Sequence, residues 1–408
     1  MSLVNSNFDV VVIGGGAAGF FAAINTKLHH PEKSVVILEK TQKLLSKVKI
    51  SGGGRCNVTH ACSSIPEMLK AYPRGAKFLR TAFQQFFTND LIEWFELRGV
   101  QLKVENDGRM FPKSNTSQTI IDCFINETER LKIPIHLKQD IQKITKNNQH
   151  FELTNRDGEV IKSKYVIMCT GGYSKASSFK WIEDMDLTID APYPSLFTFN
   201  LPKHPITKLM GVSVLNVVAT IPSIKKQQEG PLLITHWGLS GPAILKLSAW
   251  GAKELEKMDY KFEVKVNFLP EFHVDALGNH MMRFKESKSK QQITKSPFKE
   301  IPQRLWEYFL ADLSITPMNW ADIPKKNVFH LAQTISNHSF KASGKTTFKE
   351  EFVSAGGILT NQIHPTTLES KDIPGLYFAG ECINIDGITG GFNFQNAWTT
   401  AFIASQLK

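Results

Sequence analysis

Residues 8–28, FDVVVIGGGAAGFFAAINTKL, change texture twice in a short span. Val10 to Ile13 form an unbroken apolar, β-branched run, the pattern of a strand covered on both faces of a parallel sheet. The small residues behind it predict a tight turn into a helix packed close to that strand. A second apolar run, Val35 to Leu38, ends in Glu39 and completes a βαβ unit. Between 76 and 98, Phe78, Leu79, Phe83, Phe86, Leu91, Trp94 and Phe95 recur at three- and four-residue spacings and predict a helix; Thr116 to Leu131 predicts another. From 134 to 169 the segments IPIHL, IQKI, HFELT and YVIMC predict short strands, with turns at Asn147-Asn148 and Asp157-Gly158.

After about residue 190 the texture changes. Prolines at 192, 194, 202, 205 and 222, with alternating stretches such as VSVLNVVATI and YKFEVKVNF, predict a β-rich region, and 271–326 reads as polar, basic and helical. Near 345 the chain returns to strand, glycine turn and helix. The simplest reading is an α/β nucleotide-binding domain built from both ends of the chain, residues 1–190 and 344–408, around an insert at 191–343.

Composition narrows the class without naming a chemistry. Of 408 residues, 42% are hydrophobic and 21% charged, which excludes disordered, collagen-like and disulfide-scaffold chains. Five scattered cysteines argue for a reducing compartment, and no apolar run reaches the ~18 residues of a membrane span. The opening MSLVNSNF has no basic segment ahead of an apolar one, so no signal peptide is expected and the protein reads as cytoplasmic, without a membrane partner. The net charge is +10. Part of the excess is local: Arg283, Lys285, Lys288, Lys290, Lys295, Lys299 and Arg304 face only Glu286 and Glu300. Such a run reads first as a solvated face, and it lacks the interleaved aromatics of a nucleic-acid platform.

Gly14-x-Gly16-x-x-Gly19 follows a strand and opens a helix, with Glu39 twenty residues further on. Gly14 permits the turn, Gly16 lets backbone approach a pyrophosphate, and Gly19 permits close helix–strand packing. The helix N-terminus offers N–H groups to phosphate, and Glu39 can accept from ribose hydroxyls. The far end of the chain decides between NAD and FAD. Gly380-Glu381, Asp386-Gly387 and Gly390-Gly391 lead into a second helix near Asn393 to Ala397, whose N-terminus suits a flavin carbonyl edge. In SGGGRCN (51–57), consecutive glycines let backbone lie against a flat ring; Arg55 offers a fork for phosphate, and Asn57 can hydrogen-bond near the reactive flavin nitrogens. Lys43, Lys47 and Lys49 read as a solvated face. Thr170-Gly171-Gly172 reads as a turn bringing backbone over the cofactor.

Taken together, IGGGAAG (13–19), ISGGGRCNVT (50–59), GRMFP (108–112), THWGLSGP (235–242), SAGGI (354–358) and GLYFAGECINIDGITGGFNFQNAW (375–398) resemble the bacterial NAD(P)/FAD-dependent oxidoreductase family of aminoacetone oxidase-like flavoproteins. The resemblance implies a glutathione-reductase-like FAD-binding Rossmann fold with a β-rich plus helical insert domain. Asn384 stands where such proteins often carry an acid. The expected FAD contacts are Gly14, Gly16, Ala17, Ala18, Gly19, Glu39 and Lys40; Ser51, Gly52, Gly53, Arg55, Cys56 and Asn57; Ile141, Thr170 and Gly171; and Gly380, Glu381, Asp386, Gly391, Phe392 and Asn393.

Cys56 and Cys62 are spaced C-x5-C, not the C-x4-C of disulfide reductases, and no second GxGxxG unit serves a nicotinamide. NAD(P)H is expected at most as a transient co-substrate, and no Cys/His cluster has metal-ligand spacing. For substrate contact, His236 is the candidate proton shuttle and Arg109 the candidate anion holder, with Asn57 beside the flavin. The expected function is an FAD-dependent oxidoreductase passing a hydride between a small organic substrate and NAD(P)H or O2. By the resemblance, amine oxidation with oxygen and reduction of an unsaturated carbonyl compound are both open. The rival readings are an RNA-modifying flavoprotein, prompted by the basic charge, a non-catalytic FAD-fold binding module and, more weakly, a plain NAD dehydrogenase.

Overall fold

The computed structural model describes residues 6–147, 149–345 and 353–408. Residues 1–5 and Asn148, the second residue of an expected turn, lie outside that range. The chain divides into two units, Met1–Tyr193 with Val353–Lys408, and Pro194–Phe352. Both divisions fall later in the chain than 190/191 and 343/344.

The first unit is organised on β1 (Asn7–Ile13), flanked in parallel by β2 (Val35–Leu38) and β9 (Val160–Met168). β6 (Ile135–His136) continues the parallel order beyond β2. The other edge of β9 serves two partners. Its start pairs antiparallel with β8 (Phe151–Asn155), which pairs with β7 (Ile141–Lys146), and its end, Val166 to Met168, pairs in parallel with β18 (Leu376–Phe378). The C-terminal segment is therefore built into the sheet that the N-terminal strand begins. Val10, Val11 and Val12 are wholly buried, which explains why that run shows no polar alternation.

The first helix (Ala17–His29) packs against the last (Phe392–Ala404), and aromatic rings fill the seam. The Phe21 ring lies 4.6 Å from Trp94 and 5.3 Å from Trp398, tilted against both. The helix expected over 76–98 is two helices, Ala76–Ala82 and Thr88–Glu96. The break comes at Phe87, whose N–H donates to the Asp90 carboxylate at 2.6 Å and so starts the second helix afresh. A small antiparallel sheet places β5 (Arg109–Pro112) between β3 (Thr59–His60) and β4 (Leu102–Val104). β10 (Ile189–Ser195) and β17 (Val353–Ile358) pair with each other where the chain leaves and re-enters this unit.

The second unit holds a six-stranded antiparallel sheet in the order β11 (Phe199–Asn200), β14 (Gly238–Ser240), β13 (Lys226–Ile234), β12 (Ser213–Ile221), β15 (Lys261–Asn267), β16 (His338–Ser343). A bridge between Phe199 and Lys345 brings its two edges together. In β15, Phe262, Val264 and Val266 are buried between exposed Lys261 and Glu263, the alternation that the sequence showed. Helices Pro242–Lys257, Val274–Ser287, Gln303–Asp312 and Lys325–Ser336 belong to the same unit. The basic run at 283–304 is mostly exposed, but Lys285 is structural: its ammonium donates to the Ala321 and Ile323 carbonyls, each at 2.7 Å. Among the described residues no helix is long and apolar enough to cross a membrane.

Candidate active site

Each glycine of the first turn has its own steric reason. Gly14 sits at φ +114°, and a Cβ there would lie 2.3 Å from the Cys169 carbonyl oxygen. A Cβ on Gly19 would lie 1.8 Å from the Gly14 carbonyl oxygen, so this glycine lets helix and strand touch. Gly16 differs: a Cβ there would meet nothing within 4 Å. It is the N-cap of the first helix, and no side chain caps that end. Open space and uncapped N–H groups at one point make a seat for phosphate.

Glu39, at the tip of β2, is buried and accepts from the Gly15 N–H at 2.7 Å and the Thr41 N–H at 2.8 Å. A carboxylate has about four lone-pair positions, so acceptor capacity remains for ribose hydroxyls. Beside it, Gly14, Glu39, Lys40, Ile141 and Thr170 line a cleft of about 30 Å³ together with Tyr173 and Trp181. The cleft shares Lys40, Asp140, Tyr173 and Trp181 with a larger cavity of about 550 Å³ that adds Arg156 and Lys180. The Lys40 ammonium lies 5.0 Å from the Tyr173 ring centre, and Arg156 pairs with Asp140 at 2.7 Å. Tyr173, Trp181 and Arg156 were not among the expected site residues; they lie on the segments after β9 and β8, where no motif marks them.

At the other end, the last helix starts at Phe392 with Gly391 as N-cap, again with no side-chain cap. A Cβ on Gly391 would lie 2.5 Å from the Thr59 backbone, so only glycine fits against β3. The approach to this helix is held at successive points. Arg74 forks onto both oxygens of Asp386. The Asn393 amide exchanges two 2.8 Å hydrogen bonds with the Gly387 backbone. His60 donates from Nδ1 to the Gly390 carbonyl at 3.2 Å and stacks on Phe392, and the Tyr72 hydroxyl donates to the Phe392 carbonyl at 2.7 Å. With its amide turned to suit its neighbours, Asn57 accepts from the Gly391 N–H at 2.9 Å and donates to the Thr59 and Met110 carbonyls.

Several expected contacts therefore have other partners. Asn57 is buried with its amide committed to backbone, so its side chain braces the helix start. Asp386 is wholly buried against Arg74, because a carboxylate removed from water needs a cation. Arg55 lies 4.0 Å over the Phe111 ring, and its Nη1 donates to Glu105 at 2.6 Å. Arg109, opposite His60 in the β3–β5 ladder, is held by Asp107 at 2.7 Å. Lys47 is exposed, as expected of a solvated face, and from there pairs with Glu381 at 2.5 Å, while the other Glu381 oxygen accepts the Ser354 N–H at 3.2 Å. His236 belongs to the second unit, exposed in the turn between β13 and β14, with its ring 4.0 Å from Trp237.

The glycine-rich block takes the conformation its composition allows. A helix begun at Ser46 leaves helical geometry at Ser51, and Gly52, Gly53 and Gly54 follow at φ +57°, +69° and +82°. Gly52 packs on Phe111, whereas Gly53 and Gly54 have open space. Cys56 behind them is buried, its thiol pushed up to about 12 by loss of water, and all five cysteines are free. In the second turn of the last helix, Asn396 carries a buried Oδ1 with no partner among the described residues. One turn further on, Thr400 takes the Gly380 N–H at 2.9 Å. Two open helix N-termini, an unfilled glycine seat and an orphaned buried acceptor fit one long dinucleotide lying between the two ends of the chain.

A mixed sheet whose parallel strands carry such a cradle at their carboxyl ends defines an FAD-binding oxidoreductase with a Rossmann-type core. The chain belongs to the HI0933-like protein Rossmann domain family, whose profile matches residues 8–407. It is 28% identical over 416 aligned residues to the ribosomal RNA dihydrouridine synthase of Escherichia coli (strain K12), covering 98% of this chain and 97% of that one. It is 27% identical to the 3-dehydro-bile acid delta(4,6)-reductase of Clostridium scindens, covering 97% of both chains. The fold matches 3-ketosteroid delta1-dehydrogenase from Sterolibacterium denitrificans with a TM-score of 0.50 and 12% identity, over 98% of this chain and 99% of that one.

Proposed function

We propose that the protein reduces a carbon–carbon double bond conjugated to a carbonyl in a small organic molecule, with reduced nicotinamide as the hydride source. The observation that carries this reading is the open N-terminus of the last helix, braced by Asn57, His60 and Tyr72. Backbone N–H groups fixed in place favour negative charge on whatever edge lies before them, and they do so without reorganising. Bound FAD supplies hydride acceptance and donation. The chain's own part is to grip the phosphates at Gly16, hold the ribose at Glu39 and favour the electron-rich ring at Phe392. The two curated relatives agree in chemistry: forming dihydrouridine and reducing a delta(4,6) bile acid both add hydrogen across such a bond.

The test is anaerobic. NADPH or NADH bleaches the flavin, and a simple conjugated enone restores its colour without oxygen. Restoration by oxygen alone after reduction by an amine, with no response to enones, would instead establish an amine oxidase.

RNA as the carrier of the double bond is the second reading. It is favoured by the exposed Arg283, Lys288, Lys290, Lys295, Lys299 and Arg304 of the second unit. RNA retention that falls steeply with salt supports it, and no retention at low salt removes it.

A further inference from the structure

Residues 71–75, Ala-Tyr-Pro-Arg-Gly, form a template on which the flavin-facing loop is laid, although nothing in their sequence marks them as part of a cofactor site. The contacts run in register along both segments. The Ile388 N–H donates to the Ala71 carbonyl at 2.9 Å, and Arg74 and Asp386 form a backbone bridge. Gly75 stands at φ +79°, and a Cβ there would lie 2.4 Å from the Ile385 side chain, so both its backbone and its space call for glycine. The Tyr72 hydroxyl reaches past the loop to the Phe392 carbonyl at the first position of the last helix. At the centre, Arg74 meets both oxygens of a wholly buried Asp386, and its guanidinium lies 5.6 Å from the Tyr193 ring centre.

A bidentate guanidinium–carboxylate pair fixes direction as well as distance, which an ammonium cannot do. The pair is neutral as a whole, so its influence on a bound ring passes through geometry. It sets where Asp386 to Gly391 run, and so where the open N–H groups at Phe392 point. We propose that Arg74 is a positioning residue for the flavin reaction: through Asp386 it aims the last helix at the ring and thereby sets how strongly the reduced ring is stabilised. This rests on the FAD site and is independent of the substrate reading.

The experiment uses the full-length, FAD-loaded protein and R74K, which keeps the charge facing Asp386 but loses the fork. The expected result is a midpoint potential of the bound flavin clearly more negative than that of the wild type and an FAD dissociation constant at least tenfold higher. The melting temperature of the flavin-free protein should change little. R74K with wild-type potential and affinity overturns the proposal. So does a fallen melting temperature with an unaltered potential, which is the signature of a purely structural pair. Y72F removes one hydroxyl from the same template without disturbing a buried charge. It is expected to shift the potential in the same direction by less, and it carries the test should R74K not fold, an unmoved potential there again overturning the proposal.

Discussion

The Glu39 carboxylate accepts the Gly15 amide at 2.7 Å, tying the acid at the tip of β2 to the turn that opens the first helix. On the proposed reading the same group would hold the ribose and shape the turn that seats the phosphates. E39A removes an ionised acceptor from both, and losing such a hydrogen bond costs about 1.5–3 kcal/mol. FAD affinity should fall roughly tenfold to a hundredfold by spectral titration. E39Q keeps one acceptor oxygen and should lose less.

Gly16 and Gly19 separate binding from folding. A Cβ on Gly19 would sit 1.8 Å from a backbone oxygen, so G19A should destabilise the flavin-free protein by about 1–3 kcal/mol through overpacking. A Cβ on Gly16 meets nothing within 4 Å, so G16A should cost the flavin-free fold less than about 1 kcal/mol while weakening FAD binding strongly, because it fills the seat itself. Denaturant unfolding without flavin and titration with FAD distinguish the two, and equal behaviour of both variants would contradict this division.

The thiols give a chemical test of the glycine-rich block. Burial pushes Cys56, Cys123 and Cys382 up to about 12 and Cys169 well above its ordinary value, whereas Cys62 is half-buried. Alkylation of the native protein near neutral pH should label Cys62 and spare Cys56, read by mass of the digested peptides. C56S should retain flavin reduction by nicotinamide, since a neutral buried thiol has no nucleophilic thiolate to offer.

His338, buried on β16, has its pKa held down to about 4, chiefly by burial, with the His204 charge lowering it further and Asp312 opposing. The folded histidine stays neutral where the unfolded one, with a pKa near 6.5, takes up a proton. Its contribution to stability is therefore complete above about pH 6.5 and is lost as pH falls towards 4. The whole effect is on the order of 3–4 kcal/mol, from ~1.4 kcal/mol per pKa unit. H338Q should flatten the fall in the urea midpoint between neutral pH and about pH 5, and an unchanged slope would show that His338 is not its source.

What could be read from the chain follows from sequence distance. Gly14, Gly16, Gly19 and Glu39 lie within one βαβ unit, where spacing alone fixes the geometry, and the first turn has the form their spacing predicts. The unbroken valines of β1 and the alternation of β15 likewise carry their burial in the sequence. The break at Phe87 was missed because helical spacing continues through it, and only Asp90 hints at a new start. Arg74 and Asp386 are 312 residues apart, and no local pattern pairs them. Arg55 and Asn57 have the donors a cofactor needs, but their partners Glu105 and Gly391 are set by the β3–β5 sheet and by the last helix. A side chain's type shows what it can bond; only the fold decides which distant group reaches it first.

The most direct measurement follows the visible flavin band of the purified, FAD-loaded protein under strict anaerobiosis, first with NADPH and then with a conjugated enone. The account predicts stoichiometric bleaching by the nicotinamide and return of the band on adding the enone. A protein that takes up no FAD, or whose flavin neither donor bleaches nor enone restores, would contradict it.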